Sequence, residues 1–295
     1  MSYAAFKQMT DAVARPEPAR LALGLALVLA LSIALGQAVM TLAGLLLGPE
    51  RFGALIDAMG QGDSAPGVYA LLGSAGTMGL ATVIAARLVQ GRSVRSLLGP
   101  PPLALRQFCR VAAALVILQA ALALLPPWPM APDMQPAMAP GRWAALLPLT
   151  LAALLVQTGS EELLFRGYLQ SQLGARWTAP GVWLVVPSGL FAFGHWAPGI
   201  YGENAVLVML WAFLFGLAAA DLTARAGTLG PALALHLVNN AVAVAIAAPQ
   251  GPMTGLALYV LPLDVADPAA VRAALPVDLG MLGLSWLTVR LALRV

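Results

Sequence analysis

The sequence predicts an all-α fold, a bundle of about eight transmembrane helices that form one integral-membrane domain over residues 1–295, with both termini in the cytoplasm. Of its residues, 10% are charged and 60% are hydrophobic, whereas soluble domains average about 25% charged residues. The apolar residues stand in long continuous runs, unlike the short alternating segments of an outer-membrane barrel. This composition also excludes a disordered chain, a coiled coil and a nucleic-acid-binding domain. The single cysteine, Cys109, excludes an internal disulfide.

The apolar runs give the individual spans. A transmembrane helix needs about 20 mostly apolar residues to cross the hydrocarbon core of a bilayer. Runs of about that length recur along the whole chain, and a further apolar piece, Met253 to Leu263, is too short to cross. The predicted spans are 21–47, 66–86, 107–125, 143–165, 180–196, 205–222, 229–248 and 277–293.

The basic residues support this topology. If the N-terminus is cytoplasmic, 13 of the 16 Lys and Arg residues fall in inside segments and 3 fall outside. Cytoplasmic loops carry an excess of Lys and Arg, so this asymmetry favours eight spans with both termini inside. The stretch Arg87–Arg110 predicts a cytoplasmic loop, and the proline-rich stretch Pro126–Pro140 predicts an outside loop. We expect a multi-pass protein of the cell membrane, inner or plasma.

One group of charges continues directly from an apolar run. Glu161 and Glu162 open the string EELLFR, which ends at Arg166. On a helix Glu162 and Arg166 lie four residues apart on one face, so the guanidinium can neutralise one carboxylate. A second carboxylate in a low-dielectric setting suits a general base. The alternative is a salt bridge at a helix end, at the cytoplasmic interface.

The chain has two histidines, His195 and His236, and both fall inside predicted spans. Each could be a structural, hydrogen-bonded residue of the bundle. Asn240 shares the face of His236 and could form an interhelical hydrogen bond or donate to a developing oxyanion. Asn239 points about 100° away from that face and is the weaker candidate. Carboxylates, imidazoles and an amide are together the groups needed to activate a water for peptide hydrolysis.

These strings resemble the motifs of the CAAX protease and bacteriocin-processing (CPBP, or Abi) family of intramembrane proteases. That family carries EExxxR, FxxxH and HxxxN in this order on a helical bundle. The resemblance covers a motif-bearing core of about 143–248. The matching positions are Glu161, Glu162 and Arg166, then Phe191 and His195, then His236 and Asn240.

The resemblance implies an intramembrane endopeptidase that hydrolyses a peptide bond of a membrane-associated or lipidated peptide or protein. Its partners would be that substrate and membrane lipid, and not nucleic acid. By the same resemblance each motif residue has a role: Glu161 as the general base on water, His195 positioning that water, His236 and Asn240 stabilising the oxyanion, and Glu162 with Arg166 as a supporting pair.

The sequence leaves metal dependence open. Two His and two Glu residues could bind Zn²⁺ with an open position, and the ligands would then be Glu161, His195 and His236. Against a metal, the HExxH pattern is absent, and pairing of a glutamate with Arg166 would compete with metal ligation. We therefore expect no cofactor.

The two histidines raise a geometric difficulty. At about 1.5 Å per residue, His195 lies about 22 Å into its predicted span and His236 about 10 Å into its own. Both spans run from inside to outside, so we predict that the two helices are staggered, through a later start, a tilt or a break at Pro187. A shared site requires imidazole rings no more than about 12 Å apart.

Two functions of other classes remain open. A non-enzymatic membrane protein, such as an immunity factor or scaffold of the same fold, would not need the general base. A small-solute transporter could use the Glu and His cluster as a proton relay, but the sequence lacks the internal pseudo-symmetry common in transporters.

Overall fold

The computed structural model describes residues 3–125 and 133–295. The predicted outside loop Pro126–Pro140 therefore lies partly outside the described residues. The described chain is almost wholly helical, and the predicted all-α class is confirmed.

The helices of the N-terminal half begin and end at proline and glycine. Pro18, Pro49 and Pro101 lie in first helical turns, where the missing N–H has no intrahelical partner to lose. Gly62 and Gly91 end two helices with the left-handed backbone that glycine adopts without steric cost. In chain order the elements are a 3₁₀ turn Ala4–Phe6, α1 Lys7–Thr10, α2 Pro18–Leu47, α3 Pro49–Gln61, α4 Ala65–Ser74, α5 Gly76–Gln90, α6 Val94–Leu98 and α7 Pro101–Ala123.

The C-terminal half contains the motif-bearing helices, two π-helical segments and a small sheet. The elements are β1 Gln135–Pro136, α8 Pro140–Glu162, a first π-helical segment Leu163–Gln170, α9 Ser171–Arg176, α10 Pro180–Phe193, α11 Pro198–Tyr201, a 3₁₀ turn Gly202–Asn204, α12 Ala205–Ala226, α13 Gly230–Ala241, a second π-helical segment Val242–Ile246, β2 Ala247–Gln250, a 3₁₀ turn Thr254–Leu256, β3 Tyr259–Asp264 and α14 Pro268–Leu293.

Within the described residues, six helical stretches are long and apolar enough to cross a membrane. They coincide with six of the predicted spans, and the chain is a multi-pass membrane protein. The fifth and seventh predicted spans correspond to the shorter apolar helices Pro180–Phe193 and Gly230–Ile246. The eight-span topology and the cytoplasmic termini stay predictions. The six stretches are Pro18–Leu47, Ala65–Gln90, Pro101–Ala123, Pro140–Arg176, Pro198–Ala226 and Pro268–Leu293.

The outer surface of the bundle is apolar. Large side chains such as Leu45, Ile117 and Leu124 are 78%, 69% and 88% exposed. Soluble monomers rarely expose contiguous apolar patches of more than a few hundred Å². Exposing these apolar side chains to water would cost free energy, whereas contact with the hydrocarbon chains of lipid does not.

A three-stranded sheet, in the order β1-β3-β2, is the exception to the helical fold. β1 pairs with β3 antiparallel and β2 pairs with β3 parallel. The apolar piece that was too short to span therefore forms a 3₁₀ turn and β3 rather than a helix. Trp143, in the first turn of α8, donates its indole N–H to the carbonyl of Ala245 at 2.7 Å and ties α8 to the chain entering β2.

Of the two shorter helices, α13 lies inside the bundle, whereas α10 buries one face and exposes Val185, Leu190 and Phe193 on the other. α13 packs against α7, α8 and α12, and α10 packs against α12 and the first π-helical segment. Leu115, Phe191, Phe215 and Leu235 meet in the core between these helices, each 2% exposed or less. The helix that carries His236 is therefore shielded from lipid by the longer ones, whereas α10 presents an apolar face outward.

Arg92, in the predicted cytoplasmic loop, is buried rather than free in solution. Its guanidinium donates to Oγ of Ser171 at 2.8 Å and to the carbonyl of Ser96 at 2.7 Å. Burial lowers the pKa of Arg92 to about 10, because the charged form loses its hydration. These bonds fasten α6 to the start of α9, next to the π-helical segment that follows α8.

Gly79 marks a close crossing of α5 and α8. A Cβ built on Gly79 would lie 2.5 Å from Oγ of Ser160 and 3.1 Å from its Cα. Ser160 directly precedes Glu161, so the absence of a side chain at Gly79 helps to set the position of that glutamate.

Gly79→Ala should lower the free energy of unfolding by about 1–3 kcal/mol, because the added methyl group forces α5 away from α8. Thermal unfolding in detergent micelles measures the effect. Gly73→Ala is the matched control, because nothing lies within 4 Å of a Cβ there and alanine is the better helix former. Equal melting temperatures for the two variants would contradict the tight crossing.

Candidate active site

The first motif lies where α8 widens into a π-helix. Glu161 and Glu162 are at the end of α8, and Arg166 lies in the first π-helical segment. Such segments are rare and frequently mark functional sites. Gly167 follows, and a Cβ there would lie 2.9 Å from the carbonyl oxygen of Leu97. A glycine is therefore needed for α6 to approach this segment.

Glu162 is the centre of a buried ionic cluster. Its Oε1 accepts hydrogen bonds from Nη1 of Arg166 at 2.9 Å and from Nδ1 of His236 at 2.8 Å. Arg166 also donates to the carbonyl of Gly216 at 3.3 Å, and its guanidinium lies 4.5 Å from the centroid of the Phe191 ring. The three ionisable side chains are almost completely buried. Their mutual bonds compensate part of the hydration that each loses.

Glu161 faces the other side of the same imidazole. Its Oε2 lies 3.6 Å from Nε2 of His236. Because the Glu162 carboxylate accepts from Nδ1, the neutral imidazole presents an unprotonated Nε2 to Glu161. The buried Oε2 of Glu161 has no hydrogen-bond partner among the described residues. A distance of 3.6 Å is too long for a direct hydrogen bond, and it leaves two acceptors directed at one point.

Gln157 is a site residue that the sequence reasoning missed. Its Nε2 donates to Oε1 of Glu161 at 2.6 Å, and its Oε1 accepts from Nδ2 of Asn240 at 3.0 Å. The available signal was a polar side chain one helical turn before Glu161, directly after an apolar run. Asn239, the weaker sequence candidate, donates to Oδ1 of Asn240 at 3.3 Å.

His195 is not inside a transmembrane helix as predicted, because α10 ends at Phe193. The backbone N–H of His195 donates to the carbonyl of Ala192 at 2.9 Å in the turn that follows. Pro198 disfavours a helical residue before it, so α10 cannot continue. Nδ1 of His195 lies 2.8 Å from the carbonyl oxygen of Phe191. A carbonyl only accepts, so Nδ1 carries the proton and Nε2 is free in the neutral ring.

The ring of Phe191 contacts both histidines, with its centroid 4.5 Å from that of His195 and 5.9 Å from that of His236. The imidazoles are therefore separated by no more than the sum of these distances, within the predicted limit of about 12 Å. α10 begins at Pro180 and runs through Pro187, which rules out a later start or a break there. The remaining explanation is that α10 and α13 are staggered or tilted relative to each other. The displacement compensates the difference of about 13 Å between the heights of His195 and His236 above the starts of their helices.

Aromatic rings enclose the imidazole of His236. The Phe215 centroid lies 4.9 Å from it, and Trp211 stacks on Phe215 at 5.4 Å. This apolar wall lowers the local dielectric and strengthens every charge interaction at the cluster.

The structure thus joins five of the six predicted site residues by polar contacts, with Gln157 as an added link. Within the described chain, no hydrogen bond connects His195 to the carboxylates or to His236. The Phe191 ring is the contact between His195 and the rest of the site. The catalytic roles of all six residues stay predictions.

The side chains do not fit a zinc centre. A catalytic zinc site needs three protein donors at about 2.0–2.2 Å from one point. Among residues 3–125 and 133–295, no group of three or more His, Cys, Asp or Glu side chains could hold a metal ion.

Replacing Arg166 should destabilise the protein strongly, because Glu162 would stay buried without its cation. We expect Arg166→Met to lower the free energy of unfolding by about 3–5 kcal/mol, measured by denaturant unfolding in detergent. The exposed Arg176 provides the control Arg176→Met, with little change expected. The double variant Glu162→Leu/Arg166→Met should recover part of the loss, and a loss that is additive in the double variant would contradict a buried ion pair.

Comparison with known proteins identifies the segment that carries this cluster. Residues 143–242 match a family model described as "Type II CAAX prenyl endopeptidase Rce1-like". No curated protein and no solved structure gives a significant match. The matched segment contains all three motifs and Gln157. The resemblance predicted from the motifs is therefore confirmed: residues 143–242 of this chain are similar to the Rce1-like CAAX prenyl endopeptidases.

Proposed function

We propose that the protein is an intramembrane endopeptidase that hydrolyses a peptide bond of a membrane-associated or lipidated peptide or protein. The observation that carries this proposal is the pair formed by Glu161 Oε2 and His236 Nε2, two buried acceptors 3.6 Å apart. They lie in the segment that matches the endopeptidase family.

The proposed mechanism places the attacking water between these two atoms. A single water can donate one hydrogen bond to Oε2 of Glu161 and its other hydrogen bond to Nε2 of His236. A lone pair of the water oxygen is then left for the attack. Glu161 then takes a proton as the water oxygen attacks the scissile carbonyl carbon. The low dielectric that the aromatic wall maintains strengthens this interaction.

The attack produces a tetrahedral intermediate with a negative oxygen, and donors beside it lower its energy. The proton that Glu161 took from water passes on to Nε2 of His236, which lies 3.6 Å from Oε2, and the imidazolium then donates to the oxyanion while Nδ1 stays bonded to Glu162. Asn240 has one amide hydrogen bonded to Gln157 and a second one available for the oxyanion. The C–N bond then breaks as that proton passes from Nε2 to the leaving nitrogen, and the products are an amine and a carboxylic acid, which ionises.

His195 completes the proposed site from its edge. The bond from Nδ1 to the Phe191 carbonyl orients the ring and leaves Nε2 to accept a hydrogen bond from water or substrate. We assign it the role of positioning the water, through a substrate-bound arrangement in which it approaches Glu161.

The proposed substrate follows from the surroundings of the site. A cluster enclosed by membrane-spanning helices is reached by a peptide that is itself held in or at the bilayer. Such a peptide carries an apolar segment or a lipid anchor, and the cell membrane is the proposed location.

A non-enzymatic immunity or scaffold protein of the same fold is the second candidate. One observation favours it: Glu162, Arg166 and Asn240 are hydrogen-bonded to other side chains of the protein, as residues with a purely structural role would be. Such a protein would tolerate loss of the Glu161 carboxylate.

Glu161→Gln should reduce kcat/KM by about 10²- to 10⁴-fold, because the amide cannot take a proton from water. The assay follows cleavage of internally quenched peptides, with and without a farnesylated C-terminal Cys-aliphatic-aliphatic-X sequence, by the full chain in proteoliposomes. Asp57→Asn, at an exposed helical position, is the control. Undiminished cleavage by Glu161→Gln would refute the proposed mechanism.

Cleavage should continue when metals are removed, since the donors do not converge on a three-ligand centre. Rates are compared after incubation with EDTA or 1,10-phenanthroline, with chelator already saturated with zinc as the control. A loss of activity that zinc alone restores would contradict the metal-free mechanism.

A further inference from the structure

We infer that Gln157 is a positioning residue that selects which oxygen of Glu161 acts and couples it to Asn240. This inference deepens the proposed function and rests on it for its consequence in catalysis. The geometry on which it depends is independent of any substrate.

The orientation of the Gln157 amide is determined by its neighbours. Glu161 is a carboxylate that accepts, so the side-chain nitrogen of Gln157 must face it at 2.6 Å. Nδ2 of Asn240 can only donate, so the carbonyl oxygen of Gln157 must face it at 3.0 Å. A rotated amide would place oxygen against oxygen and nitrogen against nitrogen, so both contacts would become repulsive.

Asn240 is oriented in the same way from its other side. Its Oδ1 accepts from Nδ2 of Asn239 at 3.3 Å, which fixes its Nδ2 towards Gln157. The four side chains form one directed chain, from Asn239 through Asn240 and Gln157 to Glu161. Hydrogen bonds in such a chain polarise one another, and this chain ends on the carboxylate that we propose as the base.

This chain makes the two oxygens of Glu161 unequal. Oε1 is held by Gln157, whereas Oε2 is buried, has no hydrogen-bond partner among residues 3–125 and 133–295, and faces Nε2 of His236. The oxygen that is left to take a proton is therefore the one beside the imidazole. Without Gln157, the carboxylate could rotate and exchange its two oxygens.

The same residue links the two helices that supply base and oxyanion donor. Glu161 lies on α8 and Asn240 on α13, and Gln157 bonds to both. Its bond to Asn240 also directs the second amide hydrogen of that residue. A change at Gln157 should therefore reduce kcat more than it raises KM, because it displaces groups that act in the transition state.

The test compares Gln157→Met with Gln157→Glu. Methionine has a similar length and no hydrogen bond to either partner, whereas glutamate keeps an acceptor for Asn240 but turns a carboxylate towards Glu161. We expect kcat to fall by about 10- to 100-fold in both variants, with KM within about twofold, since misplaced groups lose rate rather than binding.

Gln107→Met is the matched control. Gln107 also connects helices through two bonds, donating to the carbonyl of Ala226 and accepting from Thr228. It contacts none of the proposed site residues, so its loss should lower the melting temperature and leave kcat unchanged. If Gln157→Met behaves as Gln107→Met does, its role is structural and the inference is overturned.

An infrared measurement keeps the inference testable without a substrate. The difference spectrum between the wild-type protein and Glu161→Gln isolates the carboxyl bands of Glu161. In the Gln157→Met background these bands should shift, because the stretching frequency responds to hydrogen bonding. Unshifted bands would overturn the inference. If the wild-type protein cleaves none of the peptides, the proposed function is refuted instead. The infrared bands would still show whether Gln157 holds the carboxylate of Glu161.

Discussion

The rest of the structure depends on the carboxylate of Glu162 and its two partners inside the bundle. Burying an unpaired carboxylate or guanidinium costs several kcal/mol, so Glu162 and Arg166 are tolerated only together. Since His236 binds the same oxygen as Arg166, α8, the first π-helical segment and α13 must keep one relative position. The cluster therefore acts as a geometric constraint on the bundle as well as a set of reactive groups.

The two short helices, α10 and α13, determine the surroundings of the polar groups in the site. α13 is enclosed by longer apolar helices, and α10 packs its buried face on α12, so His236 lies away from lipid beside the rings of Phe191 and Phe215. Two hydrogen-bonded branches meet there. One runs from Arg166 through Glu162 to His236, and the other runs from Asn239 to Glu161 by way of Gln157. They end on facing acceptors, where a water suits the proposed hydrolysis.

Much of this was accessible from the sequence because a membrane makes polar residues informative. Charges are scarce and expensive in the bilayer, so Glu161, Glu162 and Arg166 stood out, and the four-residue spacing predicted the observed ion pair. Gln157 did not stand out, since an uncharged amide at the end of an apolar run is common. The turn at His195 was also missed, because apolar residues continue past the end of α10 and hydropathy alone does not show where a helix stops.

The sequence by itself determined the helical membrane class, the position of the apolar segments and the family resemblance of residues 143–242. Periodicity and hydropathy are local properties, and the three motifs are contiguous strings. Tertiary structure alone decided which atoms meet: that His236 contacts two carboxylates, that the Phe191 ring contacts both histidines, and that Gln157 of α8 bonds to Asn240 of α13. These contacts depend on how far one helix is displaced along another, and helix packing sets that displacement through close approaches such as Gly79 against Ser160.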